Sequence, residues 1–422
     1  MKCKIEKSEI YGTINCPANK SYTHRAIFLS ALSDGKSIVK KILRSNDTNA
    51  TITACKAFGV QVDEVENTIS IKNSIGSTVQ GSMINAENSG TTIRIAAAIA
   101  ALSGGNTELT GDDSLKKRPM KPILQALEQL GITTESDDGK PPITIKGKIT
   151  GNNVNIIGNI SSQFISALLI IAPRLENGLT IEIDGDVVSK PYIDLTIITM
   201  KKFGVDVEIA VPYKKYIVKH QIYKPTTFSI PSDFSNLALL LSANVLLGDG
   251  LQIDINLGDL PQGDEKIVDI LEKLGVDVLL HENTISTKSP EFLNGGKFDL
   301  ANTPDLLPAI AILSLKSKQS IEISNVKHAR YKETDRIAII CNELKKIGIV
   351  VSEKDDGMIL KRGKPTGGVE LDSHNDHRLF MAFSIAAMYV GDCIVTDPES
   401  AGVSYPNFVS DMQNCNAKII MM

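Results

Sequence analysis

A glycine flanked by two apolar residues recurs five times along the 422-residue chain at almost constant spacing. These glycines are Gly59, Gly131, Gly204, Gly275 and Gly348, so the steps between them are 72, 73, 71 and 73 residues. A second series, made of polar triplets, keeps the same period and opens runs of small and apolar residues. Its members begin at Asn19, Asn88, Ser161, Ser232, Thr303 and Asn375. Repetition at this period predicts six copies of one folding unit.

Each copy carries the patterns of two different helices. The first helix follows an Asn, Ser or Thr N-cap, has Pro304 at its first position in one copy, and is apolar nearly all round, which predicts burial. The second is amphipathic and ends at the recurrent glycine, as in KPILQALEQLGI. Alternating β-branched runs lie between and after them. One repeat is therefore expected to be a βαβαββ subdomain of about 70 residues, longer than a solenoid repeat.

The residue count predicts how the repeats are grouped. Only 50 residues remain from Ser373 to the end, whereas the first 15 residues carry strand patterns and no helix. Joined together, these two fragments make one repeat. We therefore expect one domain at 16–229 and another at 230–422 completed by 1–15, each of three repeats. Crossings near Pro17 and Pro231 would suit a hinge. The alternative is a simple end-to-end division into two domains.

Composition argues against several classes of partner. The net charge of −4 does not favour nucleic acid or an anionic membrane. The N-terminus lacks an apolar signal region and no run of 18 apolar residues occurs, so we expect a cytoplasmic protein. The six cysteines are scattered without a CxxC pair, which predicts neither a metal site nor disulfides. The sequence contains neither a GxxxxGK[ST] motif nor a GxGxxG motif after a strand, so a nucleotide site lacks support. No cofactor is expected, and a monomer is the expected state.

Cations and hydroxyls are concentrated at the predicted helix starts. Backbone N–H groups, the helix dipole and guanidinium forks at such places all favour phosphate and carboxylate groups. Each motif alone can be an ordinary cap or a set of salt bridges. Their joint occurrence in different repeats instead predicts a site for a small polyanion. The segments are Lys20–Arg25, Asn88–Thr91, Ser161–Gln163, Lys117–Pro119, Ser189–Tyr192, Lys332–Arg336 and Asp376–Arg378.

These motifs carry a family resemblance along essentially the whole chain. KSYTHRA, NSGTT, LKKRPM, SSQFISALL, VSKPYIDLT, TPDLLP, KETDRI and NDHRLFMAF resemble 5-enolpyruvylshikimate-3-phosphate synthase in order and spacing. The related UDP-N-acetylglucosamine enolpyruvyl transferases typically carry a reactive cysteine in the loop that corresponds to SLKKRPM, where this chain has none. The resemblance implies a two-domain inside-out α/β barrel of six βαβαββ repeats.

The resemblance also implies a reaction. The enolpyruvyl group of phosphoenolpyruvate would pass to the 5-hydroxyl of shikimate 3-phosphate through a tetrahedral intermediate, with release of phosphate and without a metal. This step belongs to the shikimate pathway of aromatic amino acid biosynthesis. Two alternatives stay open: transfer to another phosphorylated acceptor, and a non-catalytic anion-binding protein that keeps the fold.

The resemblance carries site residues over by position. The residues expected to bind shikimate 3-phosphate are Lys20, Ser21, Arg25, Ser161, Ser162, Gln163, Ser189, Tyr192, Asp305, His328 and Lys332. Those expected to bind phosphoenolpyruvate are Lys20, Asn88, Gly90, Arg118, Gln163, Arg336, His377 and Arg378. The expected catalytic set is Asp305, Glu333 and Lys20. We assign the hydroxyl proton to Asp305 and the carbon proton to Glu333, beside Lys332; the reverse assignment stays open.

Two positions depart from the family pattern. His328 stands where the family usually has Asn; it can still donate to a phosphate, and protonation would add charge. Val403 stands where the family has Lys before [ST]-[FY]-P. Loss of that cation is expected to weaken phosphoenolpyruvate binding by about 1–3 kcal/mol. Gly90 is retained, so close approach of the backbone to the enolpyruvyl donor is expected to remain possible.

Overall fold

The computed structural model describes residues 1–72 and 82–422. Within these residues the α-helices are α1 (Lys20–Leu32), α2 (Asn46–Ala57), α3 (Gly90–Ser103), α4 (Lys121–Gln129), α5 (Ser162–Ile171), α6 (Pro191–Lys202), α7 (Phe234–Leu247), α8 (Lys266–Lys273), α9 (Leu307–Leu313), α10 (Arg336–Lys346), α11 (His377–Val390) and α12 (Phe408–Asn414). None of these helices is long and apolar enough to cross a membrane.

The strands of the same residues are β1 (Lys2–Ile5), β2 (Tyr11–Asn15), β3 (Lys36–Lys40), β4 (Gln61–Val65), β5 (Thr68–Lys72), β6 (Ser82–Asn85), β7 (Asn106–Thr110), β8 (Thr133–Asp137), β9 (Lys140–Lys146), β10 (Asn153–Ile157), β11 (Leu179–Asp184), β12 (Glu208–Val211), β13 (Lys215–Val218), β14 (Thr227–Ser229), β15 (Gly250–Asp254), β16 (Asp277–His281), β17 (Thr284–Lys288), β18 (Gly296–Asp299), β19 (Ile321–Ser324), β20 (Ile349–Lys354), β21 (Gly357–Arg362), β22 (Glu370–Leu371), β23 (Cys393–Thr396) and β24 (Ile419–Met421).

The strands form six sheets of four strands each, which confirms the predicted α/β class. The second repeat shows the pattern without interruption: β6, α3, β7, α4, β8 and β9 follow one another in the chain. Strands β6 and β7 are parallel, since a helix returns the chain between them, and β9 pairs antiparallel with both β7 and β8. The sheet order is β6-β7-β9-β8, and β18-β19-β21-β20 has the same arrangement.

The recurrent glycines end the second helices by adopting a left-handed backbone. Their φ angles lie between 80° and 91°, a region that side chains disfavour. At Gly348 a Cβ atom would also lie 1.9 Å from the carbonyl oxygen of Lys364, so space as well as φ requires glycine there. The sixth copy has Asn416 instead, with a φ of 72°. Asparagine tolerates this conformation better than most residues, which explains how the sixth repeat ends without glycine.

In three copies the start of the first helix differs from the predicted Asn, Ser or Thr cap. Asn19, Ser89 and Ser161 accept a backbone N–H of their own helix and are of the expected residue types, although Ser89 is the second residue of its triplet. The fourth and sixth copies are capped by Asp233 and Asp376, which lie one residue beyond the triplet's first residue. In the fifth copy Thr303 makes no side-chain cap, because the chain first forms a 3₁₀ turn, Pro304–Leu306, before α9. The aspartates place negative charge at positive helix ends.

The chain divides into two compact units, which we call the continuous unit, Ala18–Ile230, and the discontinuous unit, Met1–Pro17 with Pro231–Met422. Strand β1 pairs with β23 and β24 and so completes the sheet of the last repeat. The expectation that all of residues 1–15 complete that repeat is wrong for β2, which pairs parallel with β15 in the sheet of the fourth repeat. Conversely, β14 precedes the fourth repeat but pairs with β3 of the first.

The first helix of each repeat lies in the core of its unit. In the discontinuous unit α7, α9 and α11 contact one another, and every residue of α7 is buried. In the continuous unit α3 packs on α5 and contacts α1, while α5 and α1 also pack on α6. Burial of these helices on all sides explains their apolar composition. Because their N-termini are held in the packed core, the side chains at those ends are positioned by rigid elements.

Candidate active site

The continuous unit holds anion-binding groups at or near the starts of α1, α3, α4, α5 and α6, all of them predicted from the sequence except Arg94. We call this set the first cluster; it comprises Lys20, Ser21, Arg25, Asn88, Gly90, Arg94, Arg118, Ser161, Ser162, Gln163, Ser189 and Tyr192. Arg25 of α1 is the most deeply buried cation of this cluster and is 1% exposed.

The Arg25 guanidinium is hydrogen-bonded only to neutral groups within the part of the chain that the structure describes. Its Nε donates to Thr196 Oγ1 at 2.7 Å, and one terminal nitrogen donates to the Ser21 carbonyl at 3.0 Å. The other approaches Ser166 Oγ and the Tyr192 carbonyl, both at 3.4 Å. Burial lowers the pKa of Arg25 to about 10. A buried cation with neutral neighbours is costly unless an anion joins it, so this position favours an anionic ligand.

Lys20, the first residue of α1, is paired with a carboxylate of its own unit. Its Nζ lies 2.9 Å from Asp47 Oδ2, and both side chains are largely buried. Behind it, His24 Nδ1 lies 2.6 Å from Thr51 Oγ1. Burial, together with Lys20 and Arg25, holds the pKa of His24 well below its usual value, so this histidine is neutral. Lys20 therefore offers its charge to a ligand from a fixed position.

Gly90 lies where two guanidinium groups and an amide converge. A Cβ atom at this residue would be 3.1 Å from Arg118, 3.3 Å from Arg94 and 3.5 Å from Gln163 Oε1. Arg94 donates to Gln163 Oε1 and lies 4.8 Å from the centre of the Phe164 ring. The absence of a side chain lets these donors approach the backbone at the start of α3. Sequence reasoning missed Arg94, although a charged residue within IRIAAAIAA is itself a signal.

Asn88 and Gln163 hold the donors around Gly90 in place. Arg118 donates to Asn88 Oδ1 at 2.9 Å and to Ser114 Oγ at 3.3 Å. The Asn88 amide donates in turn to Asp112 Oδ2 at 2.7 Å. Gln163 donates to Thr91 Oγ1 at 3.0 Å. Asn88 thus contacts a predicted binding residue and orients it.

The predicted serines lie at the starts of α5 and α6. Ser161 caps α5 by accepting the Gln163 N–H at 3.3 Å, and Ser162 follows it and is buried. Ser189 has a φ of 56°, an uncommon conformation for serine, and its carbonyl accepts the Tyr192 N–H at 3.1 Å. Strained residues of this kind persist where the surrounding structure fixes them, often at binding sites. The backbone conformation of Ser189 therefore makes the Ser189–Tyr192 segment a candidate part of the binding site.

The discontinuous unit holds the remaining predicted residues, which we call the second cluster: Asp305, His328, Lys332, Glu333, Arg336, Asp376, His377 and Arg378. Arg336 is 1% exposed and contacts three carboxylates. Its Nε lies 2.8 Å from Asp376, and its terminal nitrogens lie 2.9 Å from Asp305 and 2.7 Å from Glu333. These carboxylates raise the pKa of the guanidinium against the effect of burial. Both predicted proton carriers are therefore bound to one arginine.

Asp305 is surrounded by cations. Besides Arg336, the Nε of Arg378 lies 3.6 Å and the Nζ of Lys332 lies 3.7 Å from its Oδ1. Burial lowers the pKa of Lys332, with Asp305 opposing that effect and Arg336 adding to it. The Asp305 carboxylate and the Lys332 ammonium group therefore lie close together, where they can bind a ligand or take part in proton transfer.

The residues at the start of α11 are buried and ordered by Asp376. Its Oδ1 accepts the backbone N–H of Arg378 at 3.0 Å. His377 Nδ1 lies 4.0 Å from the same oxygen. Arg378 is buried beside Asp305. Asp376 thus holds both the start of α11 and the Arg336 guanidinium, a double contact that sequence reasoning did not assign.

His328 is neutral at neutral pH because its side chain is buried. It is 6% exposed, and burial together with Lys332 lowers its pKa to about 4, although Asp305 acts in the opposite direction. Its Nε2 has no hydrogen-bond partner among the described residues. Burial disfavours the imidazolium, so protonation adds no charge at this position at neutral pH. His328 is a neutral donor or acceptor.

Asp264 was missed by sequence reasoning. This buried residue accepts a hydrogen bond from Ser235 Oγ, and its Oδ1 has no partner within the described residues. Burial and the nearby Asp305 raise its pKa to about 7, while Ser235 and Arg378 act in the opposite direction. It lies in the PQGDEKI segment, whose only sequence signal is an acidic residue before a helix. Asp264 therefore adds a proton-binding group within electrostatic range of Asp305.

Val403 ends a 3₁₀ turn, Pro398–Val403, and its apolar side chain is buried. The next residue, Ser404, accepts a hydrogen bond from the Asn236 amide through its carbonyl at 3.2 Å.

Among residues 1–72 and 82–422, no three His, Cys, Asp or Glu side chains are placed to hold a metal ion. The arginine and lysine side chains of the two clusters can bind anions, and the carboxylates that contact Arg336 can transfer protons.

Known proteins resemble this chain over its full length. The family described as EPSP synthase (3-phosphoshikimate 1-carboxyvinyltransferase) matches residues 5–412. The 3-phosphoshikimate 1-carboxyvinyltransferase of Nitrosopumilus maritimus is 58% identical over 419 residues, which covers 99% of both chains. That of Methanosphaera stadtmanae is 38% identical, covering 98% of this chain and 99% of its own.

Solved structures show a similar fold. EPSP synthase from Acinetobacter baumannii superposes with a TM-score of 0.81 at 24% identity, covering 99% of each chain. The enolpyruvyl transferase NikO from Streptomyces tendae gives a TM-score of 0.78 at 16% identity, covering 99% of this chain and 98% of its own. At these identities the structural likeness supports the fold alone.

Proposed function

The chain belongs to the EPSP synthase (3-phosphoshikimate 1-carboxyvinyltransferase) family, and from this membership we infer that it transfers the enolpyruvyl group of phosphoenolpyruvate to the 5-hydroxyl of shikimate 3-phosphate. The products are 5-enolpyruvylshikimate 3-phosphate and inorganic phosphate, a step in aromatic amino acid biosynthesis. The roles of individual residues that follow are proposals.

Shikimate 3-phosphate is proposed to bind the first cluster around Arg25. The observation that carries this proposal is the burial of the Arg25 guanidinium among neutral partners at the start of α1. Each phosphate carries a charge of roughly −1.5 to −2 near neutral pH, which matches such a cation. Ser21, Ser161, Ser162, Gln163, Ser189 and Tyr192 would add hydroxyl, amide and backbone donors, whereas Lys20 would contact both substrates. Asp305, His328 and Lys332 of the second cluster are assigned to the same ligand.

Phosphoenolpyruvate is proposed to use cations from both clusters. Arg118 and Gln163 lie within 3.5 Å of the place where a Gly90 side chain would be, so this glycine gives a small anion access to them. Asn88 orients Arg118, and Arg94 joins the same group of donors. From the second cluster, Arg336, His377 and Arg378 are the proposed ligands. Two anionic substrates repel each other, and dense positive charge offsets that repulsion.

The proposed chemistry is an addition followed by an elimination. The 5-hydroxyl oxygen bonds to C2 of phosphoenolpyruvate, its proton passes to Asp305, and C3 receives a proton from Glu333. In the tetrahedral intermediate the bond from C2 to the phosphate oxygen then breaks. Glu333 removes a proton from C3, which re-forms the double bond, and Asp305 returns its proton to solvent or to the departing phosphate. Lys20, held by Asp47, would stabilise charge on the leaving group.

Phosphate release tests the proposed function. Purified protein should release phosphate when shikimate 3-phosphate and phosphoenolpyruvate are both present, and not with either alone or with UDP-N-acetylglucosamine as acceptor. Arg25→Met should raise the KM for shikimate 3-phosphate. Arg174→Met, which changes a partly exposed arginine paired with Asp34, is the control and should not. Phosphate release that needs only one substrate, or an equal effect of both variants, would contradict the proposal.

Three wider expectations belong to the same proposal. We expect the enzyme to act in the cytoplasm and as a monomer. We also expect the crossings near Pro17 and Pro231 to act as hinges when both substrates bind. Small-angle scattering of the protein with and without both ligands tests the hinge, because closure predicts a smaller radius of gyration.

A further inference from the structure

Arg336 has an inner contact that is built into the fold. Asp376 is fully buried, caps α11, and lies 2.8 Å from Arg336 Nε and 3.2 Å from one terminal nitrogen. Thr334 Oγ1 also donates to Asp376 at 3.1 Å. Moving Asp376 would uncap a helix and leave a buried charge, which makes this side of the guanidinium a fixed clamp.

The outer contacts of Arg336 come from two residues that lie outside the α-helices. Asp305 is 14% exposed and lies in the 3₁₀ turn Pro304–Leu306, and Glu333 is 13% exposed. Glu333 belongs to the bend at 332–334, which precedes α10 and carries no helical hydrogen bonding to lose. Both side chains can therefore turn away from Arg336 without breaking a regular element.

The proposed function, on which this inference rests, gives Arg336 and its two outer partners incompatible tasks. Arg336 is to bind phosphoenolpyruvate, while Asp305 and Glu333 are to move protons. All three nitrogens of Arg336 already contact a carboxylate. Four of the five N–H groups of Arg336 already donate to these carboxylates, so the guanidinium cannot hold a substrate anion through two parallel hydrogen bonds unless an outer carboxylate gives up its place.

We propose that phosphoenolpyruvate takes the outer fork of Arg336 in exchange for Asp305 and Glu333, while the contacts with Asp376 stay in place. Binding of the donor substrate thereby releases the two carboxylates for proton transfer. Asp305 keeps two other cations to turn to, since Arg378 lies at 3.6 Å and Lys332 at 3.7 Å. Without phosphoenolpyruvate the carboxylates remain bound to Arg336.

In this exchange Glu333 competes with phosphoenolpyruvate for Arg336, so a substitution of Glu333 should change the Kd for phosphoenolpyruvate in a defined direction. A variant that keeps the charge but loses the contact should bind phosphoenolpyruvate more tightly. Glu333→Asp is such a variant, because the side chain is shorter by one methylene and cannot span to Arg336 from the same backbone. A hydrogen bond between charged groups limits the gain, and we expect about a tenfold lower Kd. Weakening of turnover is expected at the same time, because the carboxylate is misplaced.

The test measures phosphoenolpyruvate binding in a ternary complex that cannot react. The acceptor is 5-deoxyshikimate 3-phosphate, which lacks the attacking hydroxyl, and the Kd is measured by titration calorimetry. Glu333→Asp and Glu333→Gln should both lower the Kd, whereas Asp376→Asn should raise it by weakening the clamp. Glu343→Asp is the matched control: this buried glutamate pairs with Lys346 in α10 and should leave the Kd unchanged.

The outcomes separate the inference from the proposed function. A Kd in Glu333→Asp equal to or above that of the wild type, in a protein that still turns over both substrates, overturns the exchange and leaves the function standing. A lower Kd in Glu333→Gln alone also overturns it, because that pattern reflects loss of charge and not loss of a competing contact. Failure of the wild type to bind phosphoenolpyruvate in the ternary complex overturns both.

Discussion

Replacing His328 by asparagine should remove a specific part of the protein's acid sensitivity. The pKa of this buried histidine is lowered to about 4, mainly by desolvation and by Lys332, whereas an unfolded chain has the ordinary value of 6.5. Between these two values the unfolded state binds more protons, so stability is full above pH 6.5 and is lost as the pH falls toward 4. At pH 5 the loss amounts to about 2 kcal/mol relative to pH 7.5, because each pKa unit corresponds to roughly 1.4 kcal/mol.

Urea unfolding followed by circular dichroism measures this effect in wild type and His328→Asn at pH 7.5 and pH 5. The difference between the two proteins should change by about 2 kcal/mol between the two pH values in favour of the variant. Packing effects of the substitution cancel in this double difference. His281→Asn changes a histidine on the exposed edge strand β16 and is the control, with no comparable change expected. Equal pH dependence of wild type and His328→Asn would refute the assigned burial and charge.

Three further predictions concern the two clusters. Gly90→Ala adds a Cβ atom 3.1 Å from Arg118 and 3.3 Å from Arg94, so these donors must move by a few tenths of an ångström. Steady-state kinetics should show that the KM for phosphoenolpyruvate rises about tenfold, whereas the KM for shikimate 3-phosphate stays unchanged. Asp264→Asn removes a carboxyl whose pKa is raised to about 7, so its contribution to stability in the wild type is lost as the pH rises from 3.8 through 7. Urea unfolding should therefore show that the variant gains roughly 2 kcal/mol of stability relative to the wild type between pH 5 and pH 8. The absence of a gain would contradict the assignment. Val403→Lys restores the family's cation and should lower the KM for phosphoenolpyruvate about tenfold; an unchanged value would show that this position does not face the substrate.

The repeat could be predicted from the sequence because its signals are local. A glycine that ends a helix and a polar residue that caps one act over four or five residues, so their spacing exposes the period. The glycine series has only five members because in the sixth copy Asn416 adopts the left-handed backbone in place of glycine. The pairing of β2 with β15 and of β14 with β3 could not be predicted. Strand partners distant in sequence leave no local trace, since similar alternating patterns fit several sheets.

The predicted site residues divide in the same way. Lys20, Arg25, Arg336 and Arg378 stand at helix starts that the sequence marks, whereas their partners depend on tertiary packing. The contact of Arg336 with Glu333 follows from the spacing of three residues, but Asp305 is 31 residues away within the same repeat and Asp376 belongs to the next repeat. Burial of His328 and Asp264, and hence their shifted pKa values, likewise depends on neighbours that periodicity does not reveal. The cations and the carboxylates Asp305 and Glu333 could therefore be predicted from the sequence, whereas their pairing with one another could not.

Deuterium incorporation tests the addition–elimination account most directly. The reaction is run in D₂O with both substrates, and the 5-enolpyruvylshikimate 3-phosphate is analysed by mass spectrometry and NMR. Because C3 receives a proton from a solvent-exchanged carboxyl and later gives one up, the product methylene should contain deuterium. Glu333→Gln should slow both incorporation and phosphate release. Full conversion by the wild type with no deuterium at the methylene carbon would contradict the account, because C3 would never have been protonated.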